Sequence, residues 1–369
     1  MRENEIETLR DLDAALAGGA PLSGLRIQDL DLTRHEERLL SRTDLDGLVV
    51  LGGRLSPDLG EHLRLHGALV FPTDPHAPVN PYRASLYQPH DLYAGLSRYG
   101  YESTPDARAY TWARDADLHH DVFATLLRAI HDDSVTDALS EFLGDAPVVG
   151  VMGGHALTRD SDAYAGAARL GHRLASAGLV VATGGGPGAM EAANLGALSP
   201  SEEAVTAALG RLAGIPSFRP SIRDWAEVAL ETYDELVRVP LPDSRVRSVG
   251  IPTWFYGHEP PNVFCNGIAK YFSNAIREDG LLARSTAGLV VLHGAAGTVQ
   301  EIFQSITPLY YAEEGGVLPP LVLVGVDHWS RDVPVWDAIE ALGRDRGLGR
   351  VVHLVDDIDE AADIVLTTA

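Results

Sequence analysis

Three scarcities bound what this chain of 369 residues can do. It has a single cysteine, Cys265, so it forms no intramolecular disulfide and carries no cysteine-rich metal site. Only one of its 29 Lys+Arg residues is lysine, Lys270, so any mechanism that needs a lysine has one candidate. Positive charge is short overall: the net charge is -23, and a surface this acidic repels nucleic-acid phosphates and anionic lipid. No apolar run reaches the length of a membrane span, and "MRENEIETLRDLDAALAGG" lacks the apolar core of a signal peptide, so a cytoplasmic protein is the default expectation. With 45% hydrophobic and 22% charged residues, the composition is that of a globular chain able to bury a sizeable core.

Two regions are legible. In residues 1–145, "LDGLVVLGG" (45–53) and "ALVFP" (68–72) read as strands around a helix with Ser56 as N-cap and Pro57 in its first turn. This is a small α/β region of unassigned role. A helix is expected over 117–143; His119 and His120, adjacent on it, would point apart and form no metal site, and His131 reads as structural.

From 146 the pattern is strict. A strand at 147–151 precedes a Gly-Gly loop (Gly153, Gly154), and a helix at 161–177 would bury Ala163, Ala167, Leu170 and Leu174 and stop at Gly178. A strand follows at 179–183, then "GGGPGAMEAANLGAL". A helical pair carries capping signals at Ser199 with Glu202 and at Asp224 with Glu227, and its first helix reads as an insertion. Further strands are expected at 248–257, 288–292, 320–326 and 351–355, with a helix over 262–282 bearing Lys270 and Arg277. Residues 146–369 therefore predict a doubly wound α/β domain with a mainly parallel sheet.

Two Gly-rich turns, "TGGGPGAME" (183–191) and "HGAAGTVQE" (293–301), follow strands and open helices. In such a sheet both lie at carboxyl ends of strands, where small residues let a phosphate approach helix N-termini. Neither has the dinucleotide fingerprint spacing, and no Gly-Lys-Ser/Thr of a P-loop exists. Thr298 and Glu301 also spell a helix capping box, which would make Glu301 a cap rather than a chemical group.

Together with "VVGVMGG", these motifs resemble the "lysine decarboxylase-like" LOG-type family, which includes cytokinin riboside 5'-monophosphate phosphoribohydrolases and nucleotide 5'-monophosphate nucleosidases. The resemblance spans roughly 146–360. It implies a Rossmann-like fold and hydrolysis of the N-glycosidic bond of a nucleoside 5'-monophosphate to free base and ribose 5-phosphate, without a cofactor or metal. It also implies a homodimer with the site near the subunit interface.

The family's second motif, Pro-Gly-Gly-x-Gly-Thr-x-Glu-Glu, is matched by Gly294, Gly297, Thr298 and Glu301; His293 replaces the Pro, Ala295 a Gly and Gln300 the first Glu. Glu301 takes the catalytic glutamate's place. Arg277 takes the catalytic arginine's place in Arg-Lys-x-x-Met, with Glu278 at the Lys and Leu281 at the Met position. By the same resemblance Gly153, Gly154, Gly184, Gly185, Gly186, Gly188, Met190 and Glu191 of the first two loops, and Gly294, Ala295, Ala296, Gly297 and Thr298 of the third, would line the nucleotide and its phosphate. Lys270 and His293 are further candidates. Literal lysine decarboxylation would need a pyridoxal-phosphate lysine in a phosphate cup, which Lys270 lacks. The competing reading is a non-catalytic nucleotide or molybdenum-cofactor carrier of the same superfamily, which would not require the Arg277/Glu301 pair.

Overall fold

A computed structural model describes residues 4–239, 245–255, 259–313 and 316–368. The chain divides into two compact units, Met1–Leu86 with Asp115–Phe142, and Tyr87–Arg114 with Leu143–Ala369. Residues 87–114, which the sequence groups with 1–145, thus lie with the second unit. They are held there by an antiparallel bridge from Tyr87 to Ile268 and by Asp106, which pairs with Lys270.

Among the described residues, the first unit holds a four-stranded parallel sheet ordered β1 (Glu5–Ile6), β2 (Arg26–Gln28), β3 (Val49–Leu51) and β4 (Leu69–Phe71). Leu12, Ile27, Leu39, Val50, Leu59 and Leu63 are part of its core. The expected start of the helix Pro57–Leu65 holds: Ser56 Oγ accepts from Leu59 N–H. The sequence missed β1 and β2, which are two and three residues long and too short to show a period. The helix expected from 117 begins only at Val122. His119 and His120 therefore lie in a turn, their rings edge to face at 4.7 Å, rather than on opposite sides of a helix.

Among the described residues, the second unit's sheet has seven parallel strands. They are β5 (Val148–Met152), β6 (Val180–Thr183), β7 (Ser248–Gly250), β8 (Gly267–Ile268), β9 (Gly288–Val291), β10 (Leu321–Val324) and β11 (Val352–Val355). Their spatial order is β11-β10-β9-β5-β6-β7-β8. The chain therefore winds outward from β5 in one direction, returns at β9 and winds in the other. The crevice between β5 and β9 is a topological switch point, the place in such sheets where ligands bind. β5, β6, β9 and β10 are buried along their whole length, as their unbroken apolar runs require of a sheet covered on both faces.

The helices Asp162–Ser176 and Ala189–Leu198 pack with their backbones nearly touching. A Cβ on Gly171 would lie 2.0 Å from Ala193 O, and one on Gly196 would lie 1.7 Å from Ala168 O. Ala163, expected on the packed face, is exposed; Ala168 and Gly171 are buried there instead.

The helical pair is capped by Ser201 and Ser221, not by Ser199 and Asp224. The strand expected over 248–257 ends at Gly250, and residues 256 and 257 lie outside the described residues. The helix expected over 262–282 runs only over Asn274–Arg284, capped by Ser273. The preceding residues are drawn into β8 by pairing with β7 and Tyr87, a case of tertiary pairing overriding a local helical pattern.

Candidate functional site

Three loops leave the carboxyl ends of β5, β6 and β9 and meet. Gly154 N–H donates to His293 O at 2.8 Å, and Ala189 N–H donates to Gly154 O at 3.2 Å. The loops containing Gly153/Gly154, 184–188 and 294–298 therefore form one backbone surface at the switch point.

The two helices that open from these loops start without a side-chain cap. Ala189–Leu198 begins at Gly188 and Ala296–Tyr311 at Ala295. By contrast, Asp162–Ser176, Glu202–Leu212, Ile222–Val237 and Asn274–Arg284 each begin at a serine whose hydroxyl accepts a first-turn N–H. An uncapped N-terminus leaves its N–H groups and the positive end of its dipole for another acceptor.

The same helix start rules out the capping box. Thr298 is inside the first turn and Glu301 in the second, so neither caps the helix. Thr298 instead packs against Gly294, where an added Cβ would lie 2.1 Å from its Oγ1. Glu301 turns towards the helix Asn274–Arg284 and accepts from Arg277 Nη1 at 3.2 Å.

Arg277 is fixed from three sides. Its Nε donates to Ile251 O at 2.8 Å, Nη1 reaches Glu301, and Glu278 stands 3.9 Å away. Its Nη2 lies against Gly184, where a Cβ would sit 2.2 Å from it. Gly184→Ala is accordingly expected to displace the guanidinium, at a stability cost of about 1–3 kcal/mol for overpacking. Loss of ligand affinity out of proportion to the change in melting temperature is the result that would bear this out.

Burial raises the Glu301 carboxyl above the usual glutamate range; Arg277 opposes that shift and Glu278 adds to it. Two of the residues at which the chain differs from the motifs it resembles prove to be partners: Gln300 Nε2 donates to Glu278 Oε2 at 2.7 Å. The two positions at which this chain carries Glu278 and Gln300 instead of the lysine and glutamate of the motif it resembles are therefore in contact. Leu281, at the Met position, is fully buried.

Ala295 has φ -123° and ψ -150°, an extended conformation open to alanine. The position thus makes no demand for glycine, and Ala295→Gly is expected to leave ligand binding unchanged. It should cost no more than about 1 kcal/mol in stability through backbone entropy. Thermal unfolding with and without ligand measures both.

His293 stacks on His328 at 4.4 Å, and burial, with His328 second, keeps its imidazole below the usual titration range. His328 Nε2 lies 3.1 Å from Gly294 O and 3.4 Å from Gly294 N, close enough to seat the loop through either tautomer.

Glu191 and Lys270 are committed elsewhere. Glu191 is buried and bonded at both oxygens to Arg159, whose guanidinium also lies over the Trp225 ring at 4.4 Å. Lys270 is not on the helix of Arg277. It follows β8, 1% exposed, with its ammonium 2.6 Å from Asp106 Oδ1 and facing the Trp254 ring at 5.2 Å. Met190 lies against the Gly loop, its Sδ 2.8 Å from a Cβ position on Gly184.

Sequence reasoning missed the support beneath the loop 184–188. Asn262 N–H donates to Gly185 O at 2.8 Å, and its side-chain amide donates to Gly186 O at 3.1 Å and to Asn194 Oδ1 at 3.1 Å. Asn194 in turn bonds Thr183 and Ser248. The available signal was a polar Asn194 inside the small and apolar stretch Ala192–Leu198.

Among the described residues, no group of three or more His, Cys, Asp or Glu side chains could hold a metal ion. Among those same residues, no helix is long and apolar enough to cross a membrane.

The second unit is an α/β, Rossmann-like fold with its loops gathered at the switch point of a parallel sheet. Residues 146–212, which hold the first two of those loops, match the SLOG cluster4 family. The molybdenum cofactor carrier protein of Chlamydomonas reinhardtii is 17% identical over 61% of this chain and 98% of its own, with a TM-score of 0.36. The molybdenum cofactor binding protein of the phototrophic bacterium Rippkaea orientalis is 16% identical over 61% of this chain and 98% of its own, with a TM-score of 0.35. No curated protein sequence matches the chain.

Proposed function

We propose that the second unit binds a nucleoside 5'-monophosphate at this site and hydrolyses its N-glycosidic bond. The observation that supports this most is the Arg277–Glu301 pair, held 3.2 Å apart beside the Gly184 turn. In this reading the 5'-phosphate sits on the uncapped start of Ala296–Tyr311, and its binding energy orients the reacting carbon.

As the bond between C1' and the base nitrogen breaks, its electrons leave with the base and positive charge builds on the ribose. Glu301 faces that charge and takes a proton from the attacking water, whose oxygen bonds C1'. The proton passes to the departing base, giving free base and ribose 5-phosphate. Arg277 fixes the Glu301 carboxylate and presents its remaining N–H groups to the ribose hydroxyls.

A raised Glu301 has a direct signature. The base must be ionised, so the acidic limb of the pH–rate profile is expected above the ordinary glutamate value of 4.5. Because Arg277 pulls that value down, Arg277→Ala should move the limb to higher pH in whatever activity is left. The stability sign follows: the neutral carboxyl favours the folded state, an advantage complete below the unfolded value and lost as pH rises through the folded one.

The test is incubation with a panel of nucleoside 5'-monophosphates and detection of free base. A nucleotide that raises the melting temperature yet is returned intact would instead mark a binding or carrier protein.

A further inference from the structure

The Gly-rich turn has a second neighbour besides Arg277. A cavity of 220 Å³ opens beside it, lined by Pro187 and Gly188 of the turn, His155 of the β5 loop, and Ser217, Phe218 and Arg219. That volume lies below the roughly 300–1,000 Å³ typical of pockets for whole drug-sized ligands, so it suits one ring system rather than a complete nucleotide.

The wall is built for a flat group. The Phe218 ring meets Trp225 edge to face at 6.2 Å, and the Arg219 guanidinium lies over Phe218 at 5.5 Å. Behind them Arg159 and Glu191 neutralise each other, so the floor offers no net charge. Arg219 makes no ion pair among the described residues, and the Ser217 hydroxyl and His155 ring supply polar groups at the rim. Residues 216–225 lie beyond the segment 146–212 that matches the SLOG cluster4 family.

We propose that this cavity is the subsite for the planar heteroaromatic base of the ligand, stacked against Phe218 and Arg219, with the ribose phosphate running along the Gly-rich turn towards Arg277. The inference rests on the nucleoside 5'-monophosphate reading. A base bound here is recognised by π-stacking and cation–π attraction, which any base can satisfy, and is then sorted by the rim groups.

Calorimetric titration of the full chain tests it, in a Glu301→Gln background so that the nucleotide survives. The probes are the four common ribonucleoside 5'-monophosphates and ribose 5-phosphate. Phe218→Leu keeps apolar volume and removes the ring; Arg219→Ala removes an exposed guanidinium and leaves the core untouched. Each should weaken the tightest-bound nucleotide by at least about tenfold while ribose 5-phosphate stays within about twofold. If nucleotide affinity is unchanged, or ribose 5-phosphate falls equally, this subsite is overturned while the proposed function stands. If the parent binds neither class of probe, both are overturned.

Discussion

Glu301→Gln is expected to slow base release by about 10²- to 10⁴-fold, the usual contribution of a positioned acid–base group, with little change in stability. Glutamine keeps the volume and can still face Arg277, but it cannot carry the proton of the attacking water. Arg277→Ala should cost about 10²- to 10³-fold, because it removes a preorganised charge and the ion-pair partner of Glu301. Arg277→Lys should recover only part of that loss. One ammonium cannot bond Ile251 O and Glu301 together as the planar guanidinium does. Single-turnover assays on the three variants check this. Wild-type rates from Glu301→Gln would remove the glutamate from the chemistry.

Lys270→Ala is expected to be the most destabilising single change, costing about 3–5 kcal/mol, because it strands a buried aspartate. Asp106 would keep hydrogen bonds from Trp254 Nε1 at 2.8 Å and from Tyr101 Oη, but no cation. Lys270→Arg should fail too, although every other Lys+Arg position of the chain is arginine. Its five N–H donors would enter a space where Asp106 Oδ1 serves a single ammonium. Replacing both partners, with Lys270→Met and Asp106→Asn, should restore much of the loss, since no charge is then left buried. Guanidinium unfolding midpoints decide it: a Lys270→Ala protein within about 1 kcal/mol of wild type would show that the pair does not hold residues 87–114 in the second unit.

Much of the second unit could be read from the sequence because its signals are local. Unbroken apolar runs ending in Gly-rich turns marked β5, β6 and β9, and Ser161 marked the helix after β5. What escaped was set by partners distant in the chain. Lys270 was placed on a helix because the residues around it have a helical pattern; Tyr87 and Asp106, more than 150 residues earlier, decide otherwise. Glu191 looked like a first-turn charge near a phosphate and is consumed by Arg159.

Thr298 and Glu301 spelled a cap, and only the helix start at Ala296 separates the cap from the ion pair. Ala295, where the motif that this stretch resembles has a glycine, sits in an extended backbone that no residue pattern reveals. The need for glycine falls instead on Gly184 and Gly294, where side chains of Arg277 and Thr298 occupy the space.

The most direct measurement is chromatographic detection of free base after the full-length protein is incubated with a panel of purine, pyrimidine and cytokinin-type nucleoside 5'-monophosphates. At least one is expected to yield base and ribose 5-phosphate in equal amounts, and the corresponding nucleoside without its phosphate far less. Release of no base from any member of the panel would rule out the hydrolase.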